Sequence, residues 1–168
     1  MTAIDELVRY KAWADELLFA ALSRIPESDL AAPRPIVFGS ILRTVNHVHA
    51  MDHVWRCHLE RRPHGLTTRN PKDCPPFAAL RESQSQMDAW YVAYADSLTQ
   101  AARGEIVHFS FIGGGDGAMS REEILLHVVN HTTYHRGHVA DMMYNLGVAP
   151  PTTDFPVFLR RNARGIPA

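Results

Sequence analysis

Residues 125–147 read LLHVVNHTTYHRGHVADMMYNLG, and the periodicity of this stretch decides the fold. An α-helix turns about 100° per residue, so His127, His131 and His135, four residues apart, and His138, three further on, share an arc of roughly 80°. Ile124, Val128, Val139, Met142 and Leu146 flank that row, which turns it toward a bundle interior rather than toward water. Ser120 followed by Glu123 is a capping box and Gly147 is a helix stop, so a helix is predicted from Ser120 through Leu146. Buried imidazoles need partners, and the rest of the chain has to supply them.

Upstream, Thr2 to Ile25 carries an apolar stripe through Ile4, Val8, Leu18 and Leu22 that Pro26 ends, which predicts a first helix. Glu27–Phe38, with Pro33 and Pro35, reads as a loop, after which Ser40 caps a second helix running to about Glu60. The run 61–76 contains four prolines and reads as a long irregular connection. A third helix is predicted from Phe77 through Ala101, on the spacing of Leu80, Met87, Tyr91, Tyr94 and Leu98. Between Arg103 and Ser120 the helical period is lost, and EIVHFSFIGGGDGAM predicts a short hairpin. Its GGGDG lacks the spacing and the lysine of a phosphate-binding loop and is read as a turn. The tail after Gly147, rich in proline, is expected to pack back as extended chain and short turns. The expected fold is therefore a single all-α domain over 1–168, a four-helix bundle with a short β-hairpin or irregular segment before the last long helix.

Composition narrows the function. Seventeen basic residues nearly balance eighteen acidic ones, so no strong field draws the chain to nucleic acid or to an anionic membrane. No window approaches the ~18–20 uncharged apolar residues of a membrane span, and the N-terminus lacks the sections of a secretory signal. Cys57 and Cys74 stand far apart, as reduced thiols of a cytoplasmic protein would. The unusual residue is histidine, present ten times and concentrated in 47–64 and 127–138.

On the second helix the apolar stripe is Ile41, Val45, Val48, Met51, Trp55 and Leu59. Measured from His47, Met51 and Trp55 lie roughly 40° and 80° round, whereas His49 and His53 lie roughly 200° and 240° round. His47 thus borders the core, and His49 and His53 are expected to face away from it. An inward His47 opposite an inward row of imidazoles offers the lone pairs that a divalent cation binds at about 2.0–2.1 Å. His131 and His135, four residues apart, can grip one ion from one side. Thr132 stands where a metalloprotease HExxH motif has its general base, and two helices each bearing Glu-x-x-His, as in a di-iron bundle, are absent.

Asn46-His47 with Trp55 eight residues on, then Asn130-His131, His135-Arg136-Gly137, and Gly147, Pro150, Pro151 and Asp154 in the tail form a pattern covering nearly the whole chain. It resembles the DinB-like family of damage-inducible, metal-dependent proteins, which includes bacillithiol and mycothiol transferases. The resemblance implies a four-helix bundle, often a homodimer, holding zinc or nickel through three histidines. Carried over position by position, those ligands are His47, His131 and His135, with Trp55, Arg136 and His138 as candidates for substrate contact or support beside them. His138 stands where many relatives have glutamine.

The resemblance further implies a metal-dependent transferase that activates a small thiol for addition to an electrophile, in stress or detoxification. Two alternatives stay open on the residues themselves. One is a metal-dependent hydrolase, although Asp52 points about 140° from His47 and no other obvious carboxylate base stands out. The other is a non-catalytic stress protein whose ion staples the bundle, with His127 or His138 closing the fourth position.

Overall fold

A computed structural model describes residues 2–161. Four long helices form the bundle: α1 (Ala3–Leu22), α3 (Ile41–Leu59), α4 (Phe77–Ser97) and α6 (Arg121–Tyr144). Three shorter ones accompany them: α2 (Glu27–Ala31), α5 (Gln100–Arg103) and α7 (Phe155–Arg161). α1 packs on α4 and α6, and α3 packs on the same two, which closes the four long helices around a shared interior. The antiparallel hairpin β1 (Ile106–Ser110) and β2 (Asp116–Ser120) lies immediately before α6, paired from Ile106↔Ser120 to Ser110↔Asp116. The expected fold class is therefore observed, hairpin included.

The α6 start is built by the residues that predicted it. The Ser120 hydroxyl accepts from the Glu123 amide at 3.2 Å, and the Glu123 carboxylate accepts from the Ser120 amide at 2.7 Å. At the far end Gly147 takes φ +72°, and the amide of Val148 donates to the Met143 carbonyl, which ends the helix just short of the predicted Leu146.

Four predicted boundaries are corrected. The first helix stops at Leu22, not Ile25, because Pro26 disfavours helical backbone before it, and Arg24 and Ile25 close three-residue turns instead. The predicted loop 27–38 begins with α2, whose first turn carries Glu27 and Asp29 and which buries Leu30, in a helix too short for periodicity to reveal. The third helix ends at Ser97, since Leu98 is extended and the Thr99 hydroxyl captures the Ala102 amide to begin α5. The tail is helical over α7, where Pro156 needs no hydrogen-bond partner in the opening turn and Phe158 inserts between Tyr10 and Trp13. The end of the predicted tail, 162–168, lies outside the described residues.

Two apolar clusters fill the bundle. One joins Trp55, Leu59, Met87, Tyr91, Ile124 and Val128 with Val107 and Phe109 of the hairpin. The other joins Leu18, Leu22, Ile41, Val45, Leu80 and Met142. Between them runs a buried polar layer. Its centre is Lys11, 1% exposed, whose ammonium lies 3.0 Å from Asp15, 2.8 Å from Asp52 and 2.5 Å from Asp88. Gln84 donates to both Asp52 and Asp88, and Arg136 sits 3.9 Å from Asp15. Burial pushes the Asp88 carboxyl up to about 8, with Lys11 opposing and Asp15 and Asp52 reinforcing. With Asp88 protonated, two cations face two carboxylates and the layer is neutral, as a buried layer must nearly be.

A candidate metal centre

The histidines sit in the same middle stretch of the bundle. Helical phase brings His47 of α3 against His131 and His135 of α6, and a candidate ligand atom from each ring lies within 4.8 Å of the others. The Nε2 atoms of His47 and His131 are 3.2 Å apart, and the His135 ring lies edge-on to both, with centroids 4.8 and 4.5 Å away. Two nitrogens bound at about 2.0–2.1 Å to one tetrahedral ion stand about 3.3 Å apart, so the His47–His131 pair already has chelating separation.

His47 is oriented from behind. Its Nδ1 lies 2.7 Å from the main-chain carbonyl of Arg69, which can only accept, so Nδ1 carries the proton and Nε2 presents a lone pair to the centre. Phe38 stacks on the other side of the ring at 4.0 Å. Burial, then the neighbouring His47 and His127, push His131 down to about 3. Burial, then His131 and His47, push His135 to a similar value, and burial lowers His47. All three rings are therefore neutral near pH 7, the state that ligates a cation. The buried Nδ1 atoms of His131 and His135 have no hydrogen-bond partner among the described residues. Donor type, spacing and protonation all fit a divalent ion, and the three histidines could hold one.

One side of the trio opens into a cavity of about 940 Å³. Trp55, Met51 and Val54 of α3 form one wall, and Phe109, Phe111 and Ile112 of the hairpin form the other. Phe109 reaches Trp55, with centroids 4.9 Å apart, because Gly117 opposite it has no side chain: a Cβ there would stand 2.5 Å from the Phe109 ring. Thr68, Arg69 and Asn70 complete the lining from the connection between α3 and α4. Among the described residues no carboxylate lines the cavity.

Of the residues singled out from sequence, the structure brings His47, His131, His135 and Trp55 together. His127 also lines the cavity, 4.7 Å from the Trp55 ring, but stands outside the trio. His138 contacts Tyr134 and the edge of His135 without reaching the cavity lining. Arg136 is buried on another side of α6, where it donates to the Tyr10 hydroxyl at 2.7 Å and covers its ring. It belongs to the polar layer, not to the cavity. His49 does not turn away from the core as expected: its ring donates to Gln84 at 3.0 Å and joins the same layer. His53 tucks beneath the following connection, against the His64 carbonyl.

Sequence reasoning missed the Arg69 carbonyl and the hairpin wall. A main-chain group in an aperiodic run leaves no mark in residue types. The glycines of the hairpin were the available signal, since Gly117 serves Phe109 and Gly113–Gly115 all take φ near +100° to turn the tip.

Comparison with known proteins gives a consistent picture. The DinB family model matches residues 1–165. Protein DinB of Bacillus subtilis is 26% identical over 168 residues, covering 92% of each chain. A crystal structure of a DinB-like protein from Bacillus cereus superposes with a TM-score of 0.67 at 16% identity, over 86% of this chain and 91% of that one. A second, from Bacillus subtilis, gives 0.65 at 13% identity, over 88% and 97%. At these identities the two structures speak for the fold.

Proposed function

The chain belongs to the DinB family, and from that premise we propose that it is a metal-dependent transferase joining a small thiol to an electrophile, with His47, His131 and His135 as the ligands of a zinc or nickel ion. The observation that carries the reading is the open side of the trio, which faces a large cavity that no carboxylate of the described residues lines. A divalent ion at this place supplies Lewis-acid chemistry, making a bound thiol or water acidic near neutral pH.

The chain's own residues do the rest. Trp55, Phe109 and Phe111 shield the reacting groups from water, and the Arg69 carbonyl holds His47 in its ligating tautomer. Addition to a conjugated acceptor balances without a further reactant: the S–C bond forms, the C=C π bond breaks, and the thiol proton ends on the adjacent carbon. His127, lining the cavity beside the trio, is the side chain placed to carry that proton.

The two alternatives lose support. A hydrolase of protease type needs a carboxylate base, and Asp52 is engaged with Lys11 inside the bundle. A stapling ion needs a fourth protein ligand, and neither His127 nor His138 joins the cluster.

Cobalt substitution tests the reading. Millimolar glutathione or a bacterial thiol should give the wild-type cobalt protein a sulfur-to-metal charge-transfer band that His135→Ala lacks. A spectrum that no thiol perturbs would overturn it.

A further inference from the structure

The cavity has a sharply uneven polarity. Beside the histidines its walls carry Trp55, Phe109, Phe111, Met51 and Val54, and among the described residues no aspartate or glutamate lines it, while Arg69 stands exposed in its lining with no ion pair or hydrogen bond to its guanidinium. Several other arginines outside the core answer a carboxylate: Arg9 pairs with Asp96, Arg56 and Arg62 with Glu60, and Arg121 with Glu105. The main chain of Arg69 is also held in place, because its carbonyl accepts from His47 Nδ1 at 2.7 Å.

We propose that the acceptor substrate of this site is a planar, unsaturated or aromatic carboxylate, its anionic end paired with Arg69 and its flat body lying along the contiguous aromatic wall of Trp55, Phe109 and Phe111. The inference rests on the transferase reading for the word acceptor, but the recognition itself does not. A guanidinium fork matches a carboxylate in two parallel hydrogen bonds, and a cavity without acidic residues does not repel the charge. Aromatic walls favour a flat conjugated skeleton over the polar body of a small peptide-like or sugar-bearing thiol, which assigns the carboxylate to the electrophile.

Cinnamate and its neutral amide, cinnamamide, serve as matched probes, with acetate as a carboxylate lacking the ring. Each is titrated calorimetrically into the full-length zinc-loaded protein. Cinnamate should bind about tenfold tighter than either comparison ligand. Arg69→Gln should remove about that tenfold for cinnamate and leave cinnamamide unchanged, while Arg69→Lys restores part of it. The substitution spares the main-chain carbonyl on which His47 depends. Equal binding of acid and amide, or cinnamate binding indifferent to Arg69→Gln because the carboxylate sits on the ion instead, would overturn the proposal. No thiol or turnover enters these titrations. Arg69-dependent binding without any thiol signal at cobalt would sink the transferase reading alone, and a thiol signal with no Arg69 effect would sink this proposal alone.

Discussion

His47 donates its Nδ1 hydrogen to the carbonyl of Arg69 across 2.7 Å, so a connection of no regular structure fixes the tautomer of a candidate ligand twenty-two residues away. Such outer contacts are worth about 10–100-fold in metal affinity. Replacing residues 66–70 with a glycine-serine linker should therefore weaken zinc binding by that order, while the far-ultraviolet circular dichroism of the bundle stays the same. Undiminished affinity, measured against a chromophoric chelator, would show that the carbonyl does not orient the ring.

The ligand set is expected to stop at three. His127→Ala and His138→Ala should each retain a full equivalent of zinc, as should His49→Gln and His53→Gln, whose rings are turned to Gln84 and to the His64 carbonyl. Loss of zinc from His127→Ala or His138→Ala, with the fold intact, would mean that the fourth position is closed by protein.

Lys11 stabilises the polar layer by facing the carboxyl groups of Asp15, Asp52 and Asp88 at once. Removing one partner of a buried charge cluster costs about 3–5 kcal/mol, because the remaining charges lose their compensation. Lys11→Ala should lower the urea unfolding free energy by that amount. A loss below about 1 kcal/mol would place the lysine outside the energetics of the core.

Asp88 gives the layer a pH signature. Its folded-state carboxyl titrates at about 8, far above the ordinary aspartate value of 3.8, so the folded chain holds a proton that the unfolded chain has released. The stability this group contributes is fully present below about pH 4 and is lost as pH rises through about 8. Between pH 5 and pH 8.5 the wild type should lose more unfolding free energy than Asp88→Asn, which keeps the oxygen acceptor facing Lys11 and cannot ionise. Parallel pH profiles for the two proteins would contradict the assignment.

How much of this was legible beforehand depends on the kind of signal. The long helices and the α6 cap were readable because a stripe such as Ile41, Val45, Val48 and Trp55 repeats with the helical period, and because Ser120 and Glu123 occupy fixed cap positions. The same phase reasoning placed His47 opposite His131 and His135. By the same phase Arg136, one step of about 100° beyond His135, is carried away from the cavity to Tyr10. The Lys11 layer has no local mark in the sequence, since nothing near Lys11 and Asp15 announces that Asp52 and Asp88 arrive from two other helices. The cavity walls were illegible for a related reason: they come from the hairpin and the 61–76 connection, which carry no period that links them to α3.

The central claim is that His47, His131 and His135 hold one divalent ion, and elemental analysis of protein purified without a nickel column tests it most directly. The expected result is close to one equivalent of zinc or nickel per chain, falling severely in each of His47→Ala, His131→Ala and His135→Ala while circular dichroism confirms the bundle. A wild-type protein that neither carries nor takes up such an ion, or three alanine variants that all retain it, would contradict the account.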